Sequence, residues 1–186
     1  MRYFELFAIP VDYNIDLATI NKHYLELQRA VHPDRHANAS SRDKLMAVQS
    51  TAEINDALQT LKHPVKRAEY MLSELGVDIR AEQQTLQDPM FLMQQMELRE
   101  ELEELASASN PEAAIANFES QIKQLKVQYS NELAEQLASN DEAQYQQAAD
   151  NIRKLKFVYK LEDELERIED SLFDDLLLAV KRATRV

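Results

Sequence analysis

The 186-residue chain contains no cysteine, only one glycine and no long uninterrupted apolar run. Without cysteine it can form no disulfide and offers no thiolate to a metal or cluster. A single glycine leaves few positions for the tight turns of β-hairpins, and no stretch has the length that crosses a bilayer. The N-terminal residues also lack the apolar core and cleavage site of a secretory signal. We therefore expect a cytoplasmic protein with no membrane segment and no thiolate-bound metal.

What the chain does contain favours helices and an uneven distribution of charge. Hydrophobic residues make up 45% of it, and Ala, Leu, Glu and Gln, which have high helix propensity, are abundant. Residues 1–75 carry nine Lys/Arg against ten Asp/Glu, whereas residues 76–186 carry twelve against twenty-three. The acidic second half would repel nucleic acid and attract a basic protein. These observations predict an all-α protein that binds other proteins.

The first half predicts an antiparallel pair of helices followed by a shorter one. Asp16 can cap the first helix, whose apolar side chains recur at spacings of four and three until His32-Pro33 ends it. The second helix covers roughly residues 42–61. Its expected core side chains are Val48, Thr51, Ile54, Leu58 and Leu61. Gly76 follows the third helix, where a left-handed residue is expected.

The second half predicts three longer helices. Asp88-Pro89 and Asn110-Pro111 each place a capping residue before a proline, the residue favoured at the first helical position. Asn140-Asp141 opens the last helix, and three such helices form a small bundle. The expected division is a first domain at 1–75, a linker at 76–87 and a C-terminal domain at 88–186.

The triplet His32-Pro33-Asp34 has three possible roles. It could be an ordinary helix stop with a solvated turn. It could be an acid–base pair, but that role needs a nucleophile or a metal, and the chain has no serine elbow, cysteine or HExxH pattern. It could be a recognition element. We expect no catalytic activity, no metal and no cofactor.

The surroundings of the triplet favour recognition. It follows a helix that bears Lys22 and Arg29 away from its apolar face, and "INDALQTLKHPVKRAEYMLSELG" lies downstream at residues 54–76. With the opening "YFELFAIP", the first 75 residues resemble a J-domain, the module that stimulates ATP hydrolysis by DnaK-type chaperones. The His-Pro-Asp triplet is the most specific part of this resemblance. The resemblance implies a chaperone-binding site made of His32, Pro33 and Asp34, with support from Lys22, Arg29 and Arg35.

The predicted helix at residues 89–106 carries more apolar side chains than one core face needs. At about 100° per residue, Leu98, Leu102 and Leu105 fall within about 40° of Phe91 and suffice for packing. A second group lies on another side of the helix: Leu92, Met93 and Met96, edged by Glu97, Glu100 and Glu104. Either a sister domain covers this group, or it is exposed and binds a partner that has basic residues beside an apolar surface.

A J-domain followed by a short acidic three-helix domain resembles the HscB family, co-chaperones of iron–sulfur cluster biogenesis. "FLMQQMELREELEEL" and "RKLKFVYKLEDEL" are similar to the C-terminal signatures of that family, so the resemblance spans nearly the whole chain. It implies two partners, the ATPase chaperone HscA and the scaffold protein IscU. The scaffold site that it implies is Leu92, Met93, Met96, Glu97, Glu100, Glu104 and Phe157.

Two other functions remain open at this point. A general J-domain co-chaperone would deliver unfolded polypeptides, but it would favour a Gly/Phe-rich linker and cysteine-based zinc modules, which the sequence lacks. A purely structural helical adaptor would account for the acidic bundle and leave the His-Pro-Asp triplet without a role.

Overall fold

The computed structural model describes residues 1–32, 40–77, 79 and 88–183, and every regular element among them is helical. The helices are α1 Arg2–Leu6, α2 Leu17–Val31, α3 Ser41–Lys62, α4 Pro64–Glu74, α5 Pro89–Glu104, α6 Pro111–Ala138 and α7 Glu142–Ala183. A short 3-10 helix, Leu105–Ser107, follows α5. The prediction of an all-α protein is confirmed.

The chain divides into two compact units. One combines Met1–Gln83 with Leu133–Ala149, and the other combines Gln84–Glu132 with Asp150–Val186. The domain boundaries expected from the sequence stay a prediction.

The first unit contains the α2–α3 pair that the sequence predicts. Asp16 caps α2 by accepting hydrogen bonds from the Ala18 and Thr19 backbone N–H groups, and Tyr24 Oη donates to Asn55 Oδ1 of α3 at 3.0 Å. The main core side chains are Phe4, Phe7, Ile20, Ile54, Leu58, Leu61, Val65, Met71 and Leu72. The prediction that α3 buries Val48 is wrong, because Val48 is 55% exposed and Ala47 is buried in that turn.

The connections around α4 follow from local chemistry. His63 Nδ1 accepts the Val65 N–H at 3.2 Å, and Pro64 takes the first helical position, where no N–H is needed. At the other end Gly76 has φ +88°. This left-handed residue lets the Val77 N–H donate back to the Leu72 carbonyl at 2.9 Å, which satisfies one of the last carbonyls of the helix.

In the second unit α5, residues 111–132 of α6 and residues 150–183 of α7 form a three-helix bundle. Gln121 Nε2 of α6 donates to Glu101 Oε1 of α5 at 2.7 Å, and Lys126 Nζ of α6 donates to the Glu162 carboxylate of α7 at 2.8 Å. The buried side chains between these helices include Phe91, Leu98, Leu102, Leu105, Ile115, Phe118, Ile122, Tyr129, Ile152, Leu155, Val158, Leu161 and Leu165.

The start of α5 is fixed to α7 by one carboxylate. Asp88 accepts the Phe91 N–H at 3.1 Å as the N-cap of α5, and its second oxygen accepts from Lys154 Nζ of α7 at 2.7 Å. The hydrogen bond from Lys154, followed by that from the Phe91 N–H, lowers the pKa of Asp88. Lys154 Nζ also lies 5.4 Å from the centre of the buried Phe91 ring. These contacts connect the N-terminus of α5 to α7.

We predict that Asp88→Asn destabilises the protein in a pH-dependent way. Asparagine keeps the cap and loses the ion pair with Lys154. Because these hydrogen bonds hold the native pKa of Asp88 below its ordinary value, the stabilisation that the carboxylate contributes is fully present above that ordinary value. It is lost as the pH falls through the native pKa. In urea unfolding, the midpoint of the variant should be below that of wild type at pH 7, and the gap should narrow as the pH falls through the native pKa of Asp88.

Asp163→Asn is the control, since Asp163 is an exposed carboxylate on α7, the helix that carries Lys154, and its replacement changes the net charge equally. A gap for Asp88→Asn that stays constant across this pH range would contradict the prediction.

Candidate protein-interaction surfaces

The first candidate surface runs along α2 and its C-terminal cap. Lys22, Leu25, Arg29 and His32 follow one another at spacings of three, four and three, so they share one face of the helix. All four are exposed, and Leu25, Gln28, Arg29 and His32 line a hollow of about 400 Å³. Arg29 lies in the last turn of α2, where positive charge is favourable. This face offers cationic groups beside an apolar side chain.

The structure describes only part of the chaperone-binding site expected from the sequence. Lys22, Arg29 and His32 lie on the α2 face, whereas Pro33, Asp34 and Arg35 lie outside the described residues. His32 has φ −57° and ψ 129°, the extended conformation that a following proline requires. Leu25 was missed by the sequence analysis. The available signal was an apolar residue that falls outside the Ile20–Val31 stripe.

The second candidate surface lies on α5, away from its buried face. Leu92, Met93 and Met96 are 45%, 58% and 73% exposed. Glu97, Glu100 and Glu104 are exposed as well. Measured from Leu92 at about 100° per residue, Met96 lies at about 40°, Met93 at about 100°, and the three carboxylates between about 80° and 140°. We call these six residues the α5 patch.

Two further side chains, the aromatic Phe157 and the thioether Met90, lie on the helices that carry the scaffold site expected from the sequence. Phe157 of α7, which belongs to the scaffold site that the resemblance implies, is half-buried, because its ring packs edge-on against Phe91 with centroids 5.8 Å apart. Met90 was not considered, yet it is 75% exposed one turn before Met93. The missed signal was a methionine three residues before another on the same helix.

These surfaces contain the groups for protein recognition. They combine exposed apolar side chains with charged ones, and such patches mark interfaces. Among the described residues, no group of three or more His, Cys, Asp or Glu side chains could hold a metal ion. No helix in that part of the chain is long and apolar enough to span a membrane.

Comparison with known proteins assigns the two halves of the chain. Residues 2–70 match the model of the DnaJ domain, and residues 87–166 match the HSCB C-terminal oligomerisation domain. The chain is 54% identical over 176 residues to a co-chaperone protein HscB homolog from Photobacterium profundum, covering 94% of this chain and all of that one.

Solved structures have the same fold. Chaperone HscB from Vibrio cholerae superposes with a TM-score of 0.81 at 48% identity, covering 92% of this chain and 99% of that one. Human co-chaperone protein HscB superposes with a TM-score of 0.74 at 24% identity, covering 90% and 81%.

A J-domain followed by a helical C-terminal domain defines the class of this protein as a J-domain co-chaperone. Within that class, the chain belongs to the HscB family.

Because the apolar members of the α5 patch are exposed in the free chain, their replacement should barely change stability. We predict that the triple change of Leu92, Met93 and Met96 to alanine alters the free energy of unfolding by only about 0.5 kcal/mol per site. The control is Leu98→Ala on the same helix, because Leu98 is buried and its truncation should cost about 2–5 kcal/mol. Urea unfolding of the free protein measures both, and a triple variant as unstable as Leu98→Ala would show that the patch is buried.

Proposed function

We propose that this protein stimulates the ATPase of a specialised DnaK-type chaperone, HscA, and delivers the iron–sulfur scaffold protein IscU to it. It acts in the cytoplasm as a co-chaperone in cluster assembly and transfer, without catalysing a reaction and without a cofactor of its own. The observation that carries the proposal is the exposed, carboxylate-edged α5 patch in a chain that also has a J-domain.

The chaperone side of the proposal rests on the α2 face and the turn that follows it. Lys22, Arg29 and Arg35 attract an acidic surface and speed up encounter. The His32 ring and the Asp34 carboxylate supply a hydrogen-bond donor and an acceptor, and Pro33 restricts the backbone between them. This combination suits a site that is bound and released in every ATPase cycle.

The scaffold side rests on the α5 patch together with Phe157. Leu92 and the two methionines can enter an apolar surface of the partner, and flexible methionines adapt to its shape. Glu97, Glu100 and Glu104 favour a partner whose apolar surface is bordered by Lys or Arg, which speeds up association and limits binding to the wrong protein.

We predict that Asp34→Asn abolishes ATPase stimulation and leaves the fold intact. The change removes the negative charge and one strong acceptor from the proposed docking turn without changing side-chain size. The measurement is steady-state ATP hydrolysis by purified HscA with increasing co-chaperone, and circular dichroism verifies the helix content. Asp12→Asn, at another exposed aspartate of the first unit, is the matched control. Stimulation by Asp34→Asn at the wild-type level would rule out the docking role.

We predict that changing Leu92, Met93 and Met96 to alanine weakens IscU binding by at least about 30-fold, as loss of central interface anchors does. Calorimetric titration with purified IscU measures the affinity. The control changes Leu45 and Met46 to alanine, since these are exposed apolar residues of α3 in the first unit.

A parallel titration with a permanently unfolded polypeptide separates the proposed function from that of a general co-chaperone. Binding of the unfolded chain through the same three side chains, with no affinity for IscU, would replace the proposal by general delivery of unfolded proteins.

A further inference from the structure

Arg99 of α5 reaches across to α7 at two points. Its guanidinium carbon lies 5.5 Å from the centre of the Phe157 ring, and its Nη1 lies 3.3 Å from Glu164 Oε2. Phe157 and Glu164 are seven residues apart, about two helical turns, so they lie on one face of α7. Glu164 therefore holds the guanidinium where it meets the aromatic ring.

The Phe157 ring thus has two supports. The edge-on contact with Phe91 comes from the buried side of α5, and the Arg99 cation comes from a partly exposed position. An aromatic ring held between two such contacts keeps one orientation while part of it stays accessible. Binding to a ring that is already fixed loses less side-chain entropy than binding to a mobile one.

The position of Arg99 on α5 places this arrangement beside the α5 patch. Leu92, Met96 and Arg99 are separated by four and three residues, so they fall within an arc of about 60°. Arg99 lies about 20° from Leu92 on the side away from the three carboxylates. Leu92 and Met96 therefore lie between the three carboxylates on one side and Arg99 with Phe157 on the other.

We propose that Arg99 is a positioning residue for scaffold capture, which fixes the Phe157 ring at the edge of the α5 patch. This inference rests on the proposed function, since Phe157 must contact the scaffold. Arg99 acts through the ring and not by direct contact with the scaffold. Its effect on affinity therefore depends on the presence of an aromatic side chain at residue 157.

The test is a double-mutant cycle in which IscU affinity is measured by calorimetric titration. Arg99→Gln, Phe157→Leu and the double variant are compared with wild type. Loss of one cation–π contact should weaken binding about three- to five-fold in Arg99→Gln. The double variant should bind no more weakly than Phe157→Leu alone, because the ring through which Arg99 acts is already gone.

Two further variants separate positioning from charge and from folding. Lys160→Gln removes the same charge from an exposed position on α7. It should change the affinity less than about two-fold, which is the error expected when the effects of independent sites are added. Glu164→Gln removes the anchor of the guanidinium without touching the ring. It should weaken binding in the same direction as Arg99→Gln and lose its effect in the Phe157→Leu background. Because Glu164→Gln leaves Arg99 in place, it keeps the proposal testable if Arg99→Gln folds poorly.

The outcomes are distinct. Equal affinity of Arg99→Gln and wild type would overturn the positioning role, and so would losses that add fully in the double variant, since these indicate direct contact with IscU. In both cases a weakened Phe157→Leu leaves the proposed function standing. If Phe157→Leu and the triple alanine variant both bind IscU as wild type does, the proposed scaffold surface itself is wrong.

Discussion

The candidate scaffold site depends on one constraint, which is that α5 can bury only one narrow face against the other helices. Phe91, Leu98 and Leu102 are buried in the three-helix bundle, and they occupy a narrow arc of the helix. Burial of that arc turns Leu92, Met93 and Met96 outward. The Asp88 carboxylate opposes rotation of α5 about its own axis, since it caps α5 and binds Lys154 of α7 at the same time. A non-local ion pair thereby helps to decide which apolar side chains remain available to a partner.

Because they differ in charge, the two candidate surfaces favour different protein partners. The α2 face presents Lys22 and Arg29, whereas the α5 patch contains three carboxylates. Electrostatic complementarity mainly affects encounter rate and the exclusion of wrong partners. One chain with a cationic surface and an anionic one can therefore favour two partners of opposite surface charge. The proposed binding of two different partners would use this difference in charge.

Local signals in the sequence predicted much of the fold. The rest depends on contacts between residues that are far apart in the chain, which local patterns do not show. Caps at Asp16 and Asp88 and the left-handed Gly76 depend on a few neighbouring residues, so their patterns could be recognised directly. Val48 was assigned to the core because helical periodicity gives the apolar stripe but not its width. The half-buried state of Phe157 and the position of Arg99 follow from pairing between α5 and α7, which no local pattern encodes. The dipeptide His-Pro also occurs twice, at residues 32–33 and 63–64. At the second position its histidine caps a helix, so the dipeptide by itself does not distinguish a cap from a recognition turn.

The exposed methionines of α5 also have a chemical consequence. Met90, Met93 and Met96 present their side chains to solvent, and an exposed thioether is readily oxidised to a sulfoxide, which is polar and chiral. Each oxidation would place a strong dipole within the apolar surface of α5 and leave the packed side of the helix unchanged. In a chain without cysteine, these thioethers are the sulfur groups of the α5 surface that peroxide would oxidise, and methionine sulfoxide reductases would restore them.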